Sequence, residues 1–235
     1  GSFGPARYAS YIGKKPTGNL GCIRVDTGSL SDEELKSACD RLFESITAKR
    51  MYITGAIGST CHGEAFTEDY DLPSDTAYAE TCASISLAFF ANRMLKLKAD
   101  SKYADAVERV MYNGILAGIS MDGKSFFYEN PLEIDPKFYD VNPATKAKER
   151  FPITQRLEVF DCSCCPPNIS RFIPTIANLM YTDDGETLFV HQFIQSQTTV
   201  ERGGKTLRIT QKTAYPENGK VKITVTGGDT KVAVR

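Results

Sequence analysis

Cys162-Ser163-Cys164-Cys165-Pro166-Pro167-Asn168 places three thiols within four residues, directly before two prolines. Proline suits the first turn of a helix, because the N–H groups there have no intrahelical partner. The stretch therefore predicts a helix over about 166–181, with Ile169, Phe172, Ile173, Ile176, Leu179 and Met180 on its buried side. It also puts Cys164 and Cys165 at the positive end of that helix, where a thiolate is stabilised. Two blander readings of the same residues are a buried trio of small apolar side chains and a strained Cys164–Cys165 disulfide.

Working outward, the pattern changes on both sides of this helix. From Thr187 the helical period stops, and short strands are expected at 188–195, 206–213, 220–226 and 231–234. Turn signals at Gly203-Gly204, Asn218-Gly219 and Gly227-Gly228 separate them. Upstream, Ser31 and Glu34 form a capping box that opens a helix over 31–49. Its apolar face is Leu35, Cys39, Leu42, Phe43 and Ile46, and Cys39 on that stripe reads as core. Helical periodicity returns at 83–98 and 103–117, followed by a turn at 121–124 and a returning strand at 125–128. Residues 51–75 are rich in Gly, Thr, Ser and Asp and read as a long irregular loop, a common place for function. Residues 132–158 read as a polar surface excursion, and 1–30 have no period. Helices first and strands later indicate a mainly α chain with a β portion. The expected units are an irregular segment at 1–30, a helical region at 31–186 and a β-sandwich-like unit at 187–235. The last strand runs into Arg235 as if the β unit continued, and Gly1-Ser2 reads as a cloning remnant with no export signal after it.

Composition narrows the function classes. The chain has 235 residues, 28 Lys and Arg against 29 Asp and Glu, and a formal net charge of -1. That balance argues against a nucleic-acid or membrane-surface partner, either of which would need a basic excess. No apolar run reaches the ~18–20 residues of a membrane span. The 7 cysteines are odd in number and clustered, unlike a dispersed disulfide framework. Metal or catalytic chemistry in a reducing, cytoplasmic compartment fits them better.

Two further stretches supply acidic partners for those thiols. In Ala77-Tyr78-Ala79-Glu80-Thr81-Cys82, both Glu80 and Cys82 are competent zinc ligands. At a spacing of two residues they diverge on a helix and share a face when extended. Joint binding therefore predicts a non-helical segment over 78–82, with the helix starting at about Ala83. Glu80 and Cys82, with two of the clustered thiols, would complete a tetrahedral site. In His62-Gly63-Glu64-Ala65-Phe66, a glutamate beside such a negative cluster would be favoured in the protonated form that a general acid needs. Taken by itself, Glu64 is an ordinary loop residue. Glu108 and Tyr128 are, by pattern alone, a helix residue and a strand residue.

The run MYITGAIGSTCHGEAFTEDYDLPSDTAYAETC at 51–82, then KYADAVERVMYNGILAGISMDGKSFFYENPLE at 102–133, then CSCCPPN resembles the bacterial β-L-arabinofuranosidases of glycoside hydrolase family 127. The resemblance covers about residues 31–195. It implies a partial (α/α)6 barrel followed by an incomplete β-sandwich-like unit, and release of β-linked L-arabinofuranose with retention. It implies zinc held by Glu80, Cys82, Cys164 and Cys165, with Cys164 as nucleophile and Glu64 as general acid/base. Glu108 and Tyr128 match residues that contact the sugar, and His62 is a neighbour without a role. The implied substrate is an L-arabinofuranoside-containing oligosaccharide. A barrel of six helical hairpins needs more helices than this chain supplies, so a homo-oligomer or a complementary half is expected. Two competing functions use the same residues. A purely structural zinc module would need a closed, buried site. A thiol redox protein would show a Cys164–Cys165 disulfide and leave Glu80 and Cys82 without a purpose.

Overall fold

A computed structural model describes residues 31–135, 154–160 and 162–234. The expectations for 1–30, and for 136–153 within the polar excursion, lie outside these residues. Helix α1 (Asp32–Lys49) opens as its sequence dictates. The Glu34 amide donates to Ser31 Oγ at 3.3 Å, and the Ser31 amide donates to Glu34 Oε2 at 2.8 Å. Phe43 and Ile46 of its apolar face are buried, with Cys39 and Leu42 packed half-buried beside them. Burial pushes the Cys39 thiol up, as befits a core cysteine.

Helix α2 (Thr81–Leu97) is buried almost all round, from Ile85 and Leu87 to Met94 and Leu95, which marks it as the central element. Helix α3 (Ser101–Val110) continues through a π turn at Met111–Ile115 and a 3-10 turn at Leu116–Gly118. The three helices meet around Phe43, whose ring stands edge-on to Phe90 at 5.9 Å and to Tyr103 at 4.7 Å. Edge-to-face pairs of this kind add about 0.5–1.5 kcal/mol beyond their buried area. Helix α4 (Cys165–Phe172) docks on α2 through Phe172 and Phe89, 5.8 Å apart.

The helix expected over 166–181 is broken in three. After α4 comes a 3-10 turn at Ile173–Thr175 and then α5 (Ala177–Met180). Pro174 lacks the N–H that would continue the α ladder. The tighter turn rotates Ile173 outward to 48% exposure, against the expectation that it is buried. The returning strand expected at 125–128 is also corrected. Phe126 makes single bridges to Ile119 and Leu157 and no ladder forms. Thr154 is buried, so the polar excursion has rejoined the core by that point.

The strands form two three-stranded sheets. Strand β2 (Thr187–Val190) pairs antiparallel with β1 (Tyr181–Asp183) and parallel with β6 (Lys231–Val234). Strand β4 (Lys205–Thr213) lies between β3 (Ser196–Arg202) and β5 (Val221–Thr226), all antiparallel. Leu188 from the first sheet packs with Leu207 and Ile209 from the second, the apolar layer a sandwich requires. The strand expected at 188–195 stops at Val190, and 191–195 are irregular before the next strand begins at Ser196. Strands β1 and β3 were not foreshadowed by the sequence pattern. Buried Gln192 ties this unit to α3, donating to the Ala104 carbonyl at 3.1 Å and accepting from Gln211 Nε2 at 3.2 Å on its own carbonyl. No helix among the described residues is long and apolar enough to cross a membrane.

Residues 51–75 form the irregular loop that the sequence predicts, the irregular backbone runs on to Glu80, and one glycine fixes the loop's approach to α3. Gly55 has φ +85, and a Cβ there would lie 2.7 Å from the Val110 nitrogen and 2.8 Å from its Cα. Gly123 has a similar φ of +72 but open space around it. Gly55→Ala is therefore expected to destabilise the fold by about 3 kcal/mol, against about 1 kcal/mol for Gly123→Ala. Equal shifts of the two urea midpoints would refute the close-packing argument.

Candidate metal centre and active site

Two helix starts converge on one point. Glu80 is the N-cap of α2, with φ -57 and ψ 136, and Cys82 sits in its first turn. Cys164 is the N-cap of α4, and Cys165 is its first helical residue, followed by Pro166 and Pro167. The positive ends of both helix dipoles thus face the same acidic cluster. The expectation that 78–82 is extended, with the helix from Ala83, is corrected here: the helix begins at Thr81. A single non-helical residue at Glu80, after Ala79 in the left-handed region at φ 39, is enough to bring Glu80 and Cys82 together. That turn is clamped from outside. Ala79 N–H donates to the Gly58 carbonyl at 2.7 Å, Asn130 Nδ2 donates to the Ala79 carbonyl at 2.8 Å, and Thr81 N–H donates to the Tyr128 carbonyl at 3.0 Å.

The ligand atoms of Glu80, Cys82, Cys164 and Cys165 all lie within 4.8 Å of one another. Cys82 Sγ is 3.5 Å from Cys164 Sγ and 3.7 Å from Cys165 Sγ, and Cys164 Sγ is 3.8 Å from Cys165 Sγ. Glu80 Oε1 is 3.5 Å from Cys164 Sγ. Around a tetrahedral zinc, bonds of ~2.3 Å to sulfur and ~2.0 Å to oxygen place sulfurs ~3.8 Å apart and a sulfur–oxygen pair ~3.5 Å apart. The donor set and its spacing therefore fit zinc. The sulfur separations are also far outside the ~2.05 Å of a disulfide, so Cys82, Cys164 and Cys165 are not joined to one another.

Electrostatics points the same way. Burial, then the nearby Cys164 and Glu64 charges, push the Glu80 carboxyl up to about 8. Hydrogen bonding with Cys164 and Cys165 draws the Cys82 thiol down to about 5, with a further hydrogen bond from Asn168. Hydrogen bonding with Cys164 and Cys82, then burial, drives the fully buried Cys165 thiol upward. Glu80 and Cys165 are thus held back from ionising, and a divalent cation would remove that opposition. Asn168, one turn along α4, is oriented by Arg171, which donates to its Oδ1 at 2.6 Å.

Access differs among the thiols: Cys165 is buried, while Cys82 and Cys164 are partly exposed. Tyr128 is 3% exposed; burial and a hydrogen bond with Cys164 raise its hydroxyl's pKa. Glu64 stands exposed near the tip of a tight loop closed by the Thr60–Ala65 bridge, with φ 50. Tyr78 O–H donates to Glu64 Oε1 at 2.9 Å. The structure thus gathers Glu80, Cys82, Cys164, Cys165 and Tyr128, and holds Glu64 through Tyr78. It engages Glu108 elsewhere: Tyr215 O–H donates to Glu108 Oε1 at 2.8 Å, on the side of α3 facing the β unit. His62 is exposed beside Glu64, whereas His191 is buried after β2 with Nε2 2.8 Å from Thr182 Oγ1. Tyr78, Asn130 and Asn168 were assigned no part by the sequence. Only Asn168's place in the cysteine stretch could have marked one of them.

Comparison with known proteins identifies the family. Residues 27–178 match the family model for the β-L-arabinofuranosidase GH127 catalytic domain, and residues 187–235 match that for the GH127 middle domain. A non-reducing end β-L-arabinofuranosidase from Bifidobacterium longum subsp. longum is 43% identical over 198 residues, covering 83% of this chain and 29% of that protein. The crystal structure of a GH127 β-L-arabinofuranosidase from Geobacillus stearothermophilus T6 superposes with a TM-score of 0.78 at 44% identity, over 89% of this chain and 33% of the other. The GH127 β-arabinofuranosidase BT3674 gives 0.76 at 35% identity, over 87% and 30%. The chain thus spans about a third of the length of these relatives. With its three-thiol, one-carboxylate cluster at two helix starts, the chain belongs to the β-L-arabinofuranosidases of glycoside hydrolase family 127.

Proposed function

We propose that these residues form the zinc–thiolate centre of a retaining β-L-arabinofuranosidase, acting on L-arabinofuranoside-containing oligosaccharides. The supporting observation is the closely gathered Glu80, Cys82, Cys164 and Cys165 set, partly open at Cys164, with Glu64 near Glu80 and held by Tyr78. A zinc ion held by those four residues would keep their thiols deprotonated at neutral pH. Cys164 Sγ attacks the anomeric carbon, forming a C–S bond as the C–O bond to the leaving group breaks. Glu64 delivers its proton to the departing oxygen. The resulting Glu64 carboxylate then takes a proton from water, whose oxygen attacks the same carbon and releases the sulfur. Two displacements at one carbon give net retention. Tyr128, hydrogen-bonded with Cys164, would contact the sugar, whereas Glu108 would have to exchange its Tyr215 partner to do so.

Partial exposure of Cys164 supports this reading over a purely structural zinc module, which would be closed to substrate. Thiols gathered as metal ligands rather than as disulfides favour a reducing, cytoplasmic setting. The helices would contribute part of an (α/α)6 barrel within a helical unit at 31–186, ahead of a β unit at 187–235. A complementary segment or a second copy would cover exposed apolar side chains such as Leu97 and Ile173. Metal analysis tests the centre: about one zinc per chain is expected, falling to below ~0.1 in Glu80→Ala or Cys82→Ala protein. Folded wild-type protein purified with no zinc, and taking up none, would overturn the proposal.

A further inference from the structure

We infer that Tyr78 is a positioning residue for the acid/base carboxylate, fixing which oxygen of Glu64 handles the proton. The inference rests on the acid/base role proposed for Glu64. Glu64 has little else to hold it: it is exposed, sits in a loop, and follows Gly63 at φ +74 with its own φ at 50. A non-glycine residue in that region needs outside restraint. Tyr78, by contrast, is 2% exposed and anchored from several sides. Its ring packs 6.2 Å from that of Tyr128, and its carbonyl accepts from Asn130 N–H at 3.1 Å. The next residue, Ala79, is itself clamped in the left-handed region by Gly58 and Asn130. Tyr78 therefore transmits the rigidity of the metal-binding turn, two residues from Glu80, to a carboxylate on a separate loop.

The contact also divides labour between the carboxylate oxygens. Tyr78 O–H donates to Oε1 at 2.9 Å, which makes Oε1 an acceptor and leaves Oε2 to hold the proton. A donor on Oε1 stabilises the carboxylate that forms as the proton leaves, so the hydroxyl aids the acid step without touching substrate. Glycosides with poor leaving groups need that proton, whereas 4-nitrophenyl glycosides scarcely do.

The test compares kcat/KM for a methyl and a 4-nitrophenyl β-L-arabinofuranoside in full-length, zinc-loaded Tyr78→Phe protein. The expected result is a loss of ~10–100-fold on the methyl glycoside and less than ~3-fold on the nitrophenyl one, since general acid catalysis contributes ~10²–10⁴-fold in all. Incorporation of 3-fluorotyrosine at position 78 restores the donor and is expected to restore the methyl-glycoside rate. Equal losses on both substrates, or no loss on either, would overturn the inference. Glu64→Gln separates this from the parent reading. If it shows the leaving-group split and Tyr78→Phe does not, the tyrosine assignment alone fails. If Glu64→Gln shows no split, the acid/base reading itself fails.

Discussion

Cys164→Ser is expected to lower turnover of a β-L-arabinofuranoside by at least ~10⁴-fold in the full-length protein, the scale on which removal of a nucleophile acts. That factor corresponds to about 5.5 kcal/mol of lost transition-state stabilisation. A hydroxyl has nearly the size of a thiol, and Cys164 is a half-exposed N-cap, so the packing change is small. A hydroxyl is also poorly ionised at neutral pH and is a weak partner for zinc, so metal affinity falls as well. The comparison with Cys82→Ser separates the two effects. Each variant loses one of the four closely spaced donors, but only Cys164→Ser loses the attacking atom. With zinc in excess, Cys82→Ser is expected to exceed Cys164→Ser in rate by ~10-fold or more, because metal loss can be reversed by mass action. The buried side chain of Cys165 favours Cys164, which is partly exposed, as the proposed nucleophile. Undiminished activity in Cys164→Ser would end the assignment.

Local chemistry was legible in the sequence wherever it is decided locally. The Ser31–Glu34 capping box forms both of its hydrogen bonds, and the proline-started helix begins within one residue of its expected position. The Gly203-Gly204 signal falls between β3 and β4. Expectations failed where tertiary contacts override spacing. The rule that residues two apart diverge on a helix and converge in a strand treats the backbone as uniform. At Glu80 it changes state in one residue, held there by Gly58, Asn130 and Tyr128 from distant parts of the chain. Ile173 was misplaced because a 3.6-residue period was continued through a turn that Pro174 tightens. Strand β3, SQTTVER, was missed because its inward side chains are only half-buried and mostly polar, which leaves little period-2 signal. Tyr78 was invisible for another reason. Its partner is 14 residues away, and nothing about an Ala-Tyr-Ala segment shows where a phenol points.

Glu64→Gln should give a more selective loss than Cys164→Ser. The amide keeps the size of the side chain, and its oxygen still accepts from Tyr78, but it has no proton to give and cannot take one from water. Hydrolysis of a methyl or glycosyl β-L-arabinofuranoside is expected to fall ~10²–10⁴-fold. With a 4-nitrophenyl glycoside the first displacement proceeds without acid help, so nitrophenol is released in a burst. The slow step is then attack of unactivated water on the sugar–Cys164 thioether. Azide needs no general base, so adding it should restore steady turnover of the nitrophenyl substrate and release an arabinofuranosyl azide. The configuration of that azide decides the stereochemical part of the proposal. Two displacements give the β-azide, whereas direct attack by azide on the bound substrate gives the α-azide. A β product with azide rescue would support Cys164 and Glu64 acting in sequence at one carbon. An α product would overturn the covalent step, and absence of any loss in Glu64→Gln would remove Glu64 from the reaction.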